Sequence, residues 1–325
     1  MTRTMRVVVV GAGAIGQFYG AQLVWAGHDV RFVARRDLAA LRQRGLVVDQ
    51  ESTDHVASSR LHRQLRIPPT SFRVTDDPEE AAAGGVDWCL LATKATALSE
   101  AEQLCGPSVR SGAQIAALLN GLGVEERLAA WCPTGIVHGV LCFICVNRYE
   151  DGTVRHLAHG RVGVGHHGDD PSRRSALAAL WRSAGLAVLE PACLLEARWR
   201  KLAWNIPFNG LSVAAGLPGL GTRAILSEPA LRTRCERLMR ETIRIGNADL
   251  ADHGRAEHIN EDAWTHEQMT LTVEMGDYFT STLLDLRGGR PLETACIFSE
   301  PLRRSRSLGV AAPELERLAA ELRLD

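Results

Sequence analysis

No run of apolar residues in this chain reaches the roughly 18 needed to cross a bilayer. The opening MTRTMRVVVVGAG couples basic residues to an apolar stretch, as a secretion signal does. The stretch is too short and a glycine turn ends it at once, which argues against a signal peptide. An excess of one charge is also missing: 37 Lys and Arg stand against 38 Asp and Glu, a net charge of −1, which argues against a general nucleic-acid binder. The eight cysteines lack the regular spacing of a disulfide framework and fit reduced thiols in a cytoplasmic protein. Cys142 and Cys145 in LCFICVN have CxxC spacing, but the run around them is apolar and reads as a buried strand holding two structural thiols. No tandem repeat or low-complexity tract is present, and no heptad seam argues for or against a homodimer. What is there is 325 residues of which 46% are hydrophobic, enough for two cores.

Met5 to Val10 is a short β-branched run and predicts a buried strand. GAGAIGQFYGAQLVWAG predicts a glycine turn and a helix that stops at Gly27, and HDVRFVA a second strand. Strand, helix and strand within about 30 residues form a βαβ unit with parallel strands. DLAALRQRG and TDDPEEAAAG predict short helices, and the polar stretch 49–66 a loop with ragged strands. VDWCLLATK, AQIAALLNGLG and GIVHGVLCFICVN predict buried strands, the first two ending at Lys94 and Asn120. TVRHLAHGRVGVGH predicts a more exposed hairpin, and PSRRSALAALWRSAG a helix. After about Glu190 helical patterns dominate. The fold expected is α/β, with a dinucleotide-binding domain over residues 1–191 followed by an all-helical domain over 192–325.

VVVVGAGAIG is GxGxxG placed after a strand and opening a helix. Gly11 allows a tight turn, Gly13 lets backbone approach a pyrophosphate, and Gly16 lets the helix pack on the strand. Ala14 and Ile15 lie between them at the helix N-terminus, where free N–H groups and the dipole favour phosphate. At the end of the second strand the residues are Val33, Ala34, Arg35 and Arg36, and the first acid is Asp37. An arginine here pairs with a ribose 2′-phosphate, which points to NADP(H) with Arg35 as its reader. The alternative leaves both arginines solvated and lets Asp37 approach the ribose. Lys94 and Asn120 both follow strand ends, where ligands of open α/β sheets bind.

RWRKLAWNIPFNGLS, residues 198–212, is an apolar helix carrying Lys201, Asn205 and Asn209 every fourth residue. That spacing puts them on one face, a turn of about 5.4 Å apart. A solvated face is the bland alternative, but exposed faces of this chain, as in LERLAAELRLD, are built from Arg, Glu and Asp. A lysine with two uncharged amides suits a polar crevice wall. Hydride transfer to a ketone needs a proton donor at the forming alkoxide, and a lysine supplies one. Pro207 is expected to kink the helix or free backbone groups. Glu293 in GGRPLETACIFSEPL is a candidate carboxylate to support the lysine, although spacing alone does not choose it over Glu300, and a first-turn charge explains it equally.

GAGAIG, LLATKA, LLNGLG, RWRKLAWNIPFNG and DYFTSTLLDLRGGRPLETACI, in this order over essentially the whole chain, resemble the ketopantoate reductase family. The resemblance implies a Rossmann-type domain, a helical domain, and a site in the cleft between them. It implies NADPH-dependent reduction of 2-dehydropantoate to D-pantoate in pantothenate synthesis. Lys201 then matches the family's general acid. Asn205 and Asn209 match its substrate-binding amides, and Ser281 the serine that meets the substrate carboxylate. Glu293 matches a glutamate near lysine and cofactor. Asn120 and Lys94 match residues beside the nicotinamide and substrate, and Arg35 the 2′-phosphate arginine. Two departures stand out: Gly210 follows Asn209 where many members have Pro, and Trp204 and Phe208 add bulk near the asparagines.

The rivals are a paralogue acting on another 2-oxo acid, a dehydrogenase using a catalytic histidine, and a regulator that binds NADP(H) without turnover. The eleven histidines fall mainly in polar or loop-like stretches. GHHGDD lacks ligand spacing and reads as a solvated turn, so no metal is expected. The partner expected is a small 2-oxo acid, with no nucleic acid and no membrane.

Overall fold

Val7, Val8, Val9 and Val10 are all buried, as a strand covered on both faces must be. They form β1 (Arg6–Val10) in the computed structural model of the chain, which describes residues 3–50 and 64–324. The chain packs as two units, Met1–Leu119 with Val124–Leu194, and Asn120–Gly123 with Leu195–Asp325. The division expected after residue 191 therefore lies after Leu194, and the loop Asn120–Gly123 joins the second unit. The reason is local: Leu122 belongs to the second core, and its N–H donates to the Cys296 carbonyl at 2.9 Å.

The first unit is a ten-stranded sheet. Its other strands are β2 (Asp29–Val33), β3 (Leu46–Gln50), β4 (Gln64–Ile67), β5 (Arg73–Thr75), β6 (Trp88–Leu91), β7 (Gln114–Ala117), β8 (Val137–Arg148), β9 (Val154–His166) and β10 (Val188–Leu189). The order is β4-β3-β9-β8-β7-β6-β1-β2-β5, with β10 on β9. The run from β5 to β8 is parallel throughout. Without β3 and β4 its order is that of a doubly wound dinucleotide-binding sheet, and direction reverses between β1 and β6. The helices are α1 (Ala14–Trp25), α2 (Leu38–Arg44), α3 (Pro78–Ala82), α4 (Ala101–Arg110), α5 (Val124–Ala129) and α6 (Pro171–Ser183). Gly27 ends the first turn beyond α1 at φ +89°, the conformation a helix stop requires. Most of the polar stretch 49–66 lies outside the described residues. Its flanks pair as the antiparallel strands β3 and β4.

One expectation fails. Residues 153–166 are not a more exposed hairpin but the single strand β9, antiparallel to β8 and mostly buried toward its C-terminal end. The hairpin turn lies earlier, where the Tyr149 N–H donates to the Thr153 carbonyl and Gly152 takes φ +77°. His159 and Gly160, within that stretch, have positive φ but sit at a register shift, so they bulge the strand instead of reversing it. Cys142 and Cys145 lie on β8, Cys145 buried and Cys142 half-buried, and all eight cysteines are free thiols.

The second unit is helical: α7 (Leu194–Ala214), α8 (Thr222–Ser227), α9 (Pro229–Asp252), α10 (Glu261–Glu274), α11 (Ser281–Arg287), α12 (Glu300–Ser307) and α13 (Pro313–Glu321). Its core takes Trp199, Leu202, Ile206 and Phe208 from α7, Leu238 and Ile243 from α9, and Leu315 and Leu318 from α13. Buried acids are satisfied across helices. Asp249 accepts from Trp199 Nε1 at 2.8 Å and from Arg304 at 2.7 Å. Glu241 accepts the N–H groups of Glu314 and Leu315, the unpaired donors that open α13. Pro207 does not break α7, which runs through it.

Histidines are also not confined to polar loops. His138 on β8, His156 and His166 on β9 are buried. The His138 ring lies 5.1 Å from that of Trp88 and 5.0 Å from that of His166, with Nδ1 3.0 Å from the Ile136 carbonyl. Burial, with His166 adding repulsion, pushes the His138 pKa down to about 4 from 6.5. A depressed imidazole pKa means that the unfolded chain binds the extra proton first. The His138 contribution to stability should be constant above pH 6.5 and fall as pH drops from there toward 4. The loss attributable to His138 is about 3 kcal/mol. Urea unfolding followed across this range should show the slope, and His138→Phe should reduce it, leaving the part that buried His28 and His166 contribute.

Candidate active site

At the point where the sheet order reverses, Val10 and Leu91 are paired and the chain leaves both strands. Gly11 turns at φ +101°, its N–H donating to the Val33 carbonyl at 3.0 Å. A Cβ on Gly11 would stand 2.8 Å from the Thr93 nitrogen, and one on Gly16 would stand 1.9 Å from the Gly11 carbonyl oxygen. These two glycines let α1 and the segment after β6 close on the turn. Gly13 differs: a Cβ there would meet no protein atom within 4 Å. It occupies the cap position of α1, whose first turn holds no acid and no side-chain cap. Ala14 and Ile15, both half-buried, follow it. The positive end of α1 thus faces open space over backbone with no side chain, a surface that fits a pyrophosphate. Lys94 lies three residues beyond the end of β6, half-buried at the start of a 3₁₀ turn over Ala95–Glu100.

Beyond β2, Arg35 is exposed and pairs with Glu100 at 3.0 Å. Asp37 is buried and pairs with Arg148 of β8, while Arg36 stands 3.6 Å from its other oxygen. Arg148 escaped the sequence reading. It enters from a strand 111 residues downstream, and nothing in its own neighbourhood marks it.

In the second unit Lys201 Nζ donates to Asn120 Oδ1 at 2.8 Å. The Asn120 loop is held from its other side as well. Gly121, at φ +95°, lies so close to the Cys296 backbone that a Cβ would stand 2.4 Å from its carbonyl oxygen. Cys296 belongs to a π-helical turn, Ala295–Ser299, which runs into α12. Such turns recur at functional sites. Glu293, half-buried, comes just before this helical stretch.

Asn205 and Asn209 are 6% and 3% exposed, and every residue of α7 from Asn205 to Val213 is buried, so a solvated face is excluded. Neither side-chain amide has a protein hydrogen-bond partner among the described residues. Buried amides normally find partners, so two together on one helix face are groups suited to hold a polar ligand. One turn further, Ser212 hydrogen-bonds Thr280 at 2.9 Å, and Thr280 caps α11, accepting from the Leu283 N–H. Ser281 is the exposed first residue of α11. Ser212 and Thr280, absent from the sequence reading, thus tie the start of α11 to α7. Glu300, the rival to Glu293, is committed elsewhere. Burial alone would raise its pKa, but hydrogen bonds from Arg303 and Arg304 outweigh this and hold the carboxyl below its usual range. Among the described residues no group of three or more His, Cys, Asp or Glu is arranged to hold a metal ion, and no helix is long and apolar enough to cross a membrane.

The chain matches two family models, ketopantoate reductase PanE/ApbA over residues 7–169 and its C-terminal counterpart over residues 194–324. It belongs to the ketopantoate reductase family. It is therefore an oxidoreductase acting on a CH–OH group, of the 2-dehydropantoate 2-reductase type. A 2-dehydropantoate 2-reductase of Nostoc is 31% identical over 98% of this chain and 94% of its own. The structure of 2-dehydropantoate 2-reductase from Geobacter metallireducens superposes with a TM-score of 0.88 at 37% identity, covering 98% of this chain and 99% of the other. That from Methylococcus capsulatus gives 0.82 at 31%, covering 98% and 96%.

The glycine geometry makes a test. Gly16→Ala should cost about 1–3 kcal/mol of stability through overpacking. Gly13→Ala, at an unstrained φ of −74° with open space around it, should leave thermal unfolding near wild type and weaken dinucleotide binding. Calorimetry of both variants beside a binding titration separates the two outcomes.

Proposed function

We propose that this protein reduces 2-dehydropantoate to D-pantoate with NADPH, in pantothenate synthesis in the cytoplasm, with Lys201 as general acid. The observation that carries this reading is the bond from Lys201 Nζ to Asn120 Oδ1 at 2.8 Å, one turn from Asn205 and two from Asn209, buried amides that no described residue engages. When bound, the reduced nicotinamide supplies the hydride. Gly11, Gly13, Ala14, Ile15 and Gly16 hold its pyrophosphate, Arg35 the 2′-phosphate, and Lys94, Asn120 and Glu293 its nicotinamide end. Asn120 aims the ammonium without neutralising it, because an amide oxygen accepts a hydrogen bond but carries no charge. The positive charge favours alkoxide development at the keto oxygen, and the same group then delivers the proton. Asn205 and Asn209 hold the substrate through its oxygens, and Ser281 meets its carboxylate. Glu293 supports the lysine. The relatives' printed activity, acting on 2-dehydropantoate, agrees with this substrate.

One observation favours a second reading, a bulkier 2-oxo acid. Trp204, the residue before Asn205, is half-buried, packs tilted on the core residue Phe208 at 4.9 Å and stands 6.1 Å from Tyr278. NADPH oxidation by the purified protein, with ketopantoate beside a panel of 2-oxo acids that includes aromatic ones, decides between them. The highest kcat/KM belongs to ketopantoate on the first reading and to an aromatic acid on the second.

Lys201→Ala should lower kcat by about a hundredfold or more, the range of general-acid contributions, while the Kd for NADPH moves little. Unchanged turnover removes the lysine from the mechanism. Arg35→Ala should weaken NADPH about tenfold and NADH far less, as loss of one charge-assisted phosphate contact requires. Equal loss of both shows that Arg35 does not read the 2′-phosphate.

A further inference from the structure

The loop beyond β2 carries both signs of charge. Arg35 and Arg36 would welcome a 2′-phosphate, and Asp37, one residue further, would repel it or accept from a free 2′-hydroxyl. Which tendency prevails depends on where the Asp37 carboxylate points. Asp37 holds the cap position of α2, the ordinary use of an aspartate there being to accept from the helix N–H groups. It does not do so: no side-chain cap bond is made. Its side chain turns inward instead. One oxygen meets the Arg148 guanidinium and the other faces Arg36 at 3.6 Å. The carboxylate is 10% exposed and the Arg148 side chain 20%. Arg35 is the opposite case. It is 65% exposed and pairs with the exposed Glu100 at 3.0 Å, a surface pair that contributes little and that an incoming phosphate displaces easily.

We propose that Arg148 is a positioning residue for cofactor selection: it holds one oxygen of the Asp37 carboxylate and offsets its charge, so that Arg35 and Arg36 keep a net positive charge for the 2′-phosphate. This rests on the NADPH reading above and deepens it. Arg148 needs no contact with the dinucleotide. A half-buried ion pair is hard to break, and removing the cation leaves a carboxylate that must turn outward to water. The direction open to it is the loop that reads the ribose.

The test is the pair of dissociation constants for NADPH and NADH, measured by fluorescence titration on the full chain. Wild type is compared with Arg148→Met, Asp37→Asn and the double variant. Losing the neutralising charge should lower the preference for NADPH about tenfold in Arg148→Met, through weaker NADPH binding. The double variant, with no carboxylate to release, should return to the wild-type preference. Asp37→Asn alone should leave the preference near wild type, because the carboxylate is already withdrawn. Equal weakening of both cofactors in Arg148→Met assigns the pair a merely structural role and overturns the proposal. A selective loss of NADH affinity in Asp37→Asn also overturns it, since the acid then reads the ribose. That second variant decides the matter if Arg148→Met does not fold. A wild type without preference defeats the NADPH reading and this proposal together. A wild-type preference that survives in a folded Arg148→Met defeats the proposal alone.

Discussion

A lysine ammonium bonded to an uncharged amide is the contact on which the second unit's polar face depends. A carboxylate at Asn120 would hold Lys201 more strongly but would cancel the charge that a developing alkoxide needs. The amide fixes direction alone. Its own position is set by a chain of close contacts: Leu122 bonded to the Cys296 carbonyl, and Gly121 pressed against the same backbone where no side chain fits. The π-helical turn therefore acts on Lys201 through Asn120, although Cys296 lies 95 residues further along than Lys201 and shares no helix with it.

Three further acids of the same unit are held by partners of their own. Asp249 is engaged by Trp199 and Arg304, Glu241 by the N–H groups that open α13, and Glu300 by Arg303 and Arg304. Each of these carboxylates sits among the helices with its oxygens occupied, so it does not compete for the lysine. Buried Asn205 and Asn209 are neutral. The result is a line of one cation and two amides in an otherwise apolar helix, a surface matched to a small polar anion more than to a cation or a hydrocarbon.

What could be read from sequence was local. Gly11, Gly13 and Gly16 act within six residues of one another; Gly11 and Gly16 find in the structure steric reasons for lacking a side chain, while Gly13 opens onto free space. The stripe Lys201, Asn205 and Asn209 lies within nine residues, so helical periodicity alone placed it on one face. The reading failed where the same local signal has two outcomes. His159 and Gly160 adopt positive φ, as turn residues do, but the neighbouring strand β8 was long enough to pair with both sides, and a bulge resulted. His138 was given no role from its sequence and is buried against Trp88, because a neutral imidazole with one donor satisfied packs as an aromatic ring.

The long-range pairings were beyond reach for a physical reason. Asn120 and Lys201 are 81 residues apart and Asp37 and Arg148 are 111 apart, and in each case one side chain fixes where the other points. Residue types announce which reaction a site supports, since a proton donor or a phosphate cradle needs particular groups at particular spacings. Selectivity depends instead on whether a given charge is presented or withdrawn, and that is decided by whichever element the fold brings alongside. An Arg-Arg-Asp loop is ambiguous as a string. It becomes a phosphate reader or a ribose reader only when the topology of the sheet supplies, or withholds, a cation for its acid.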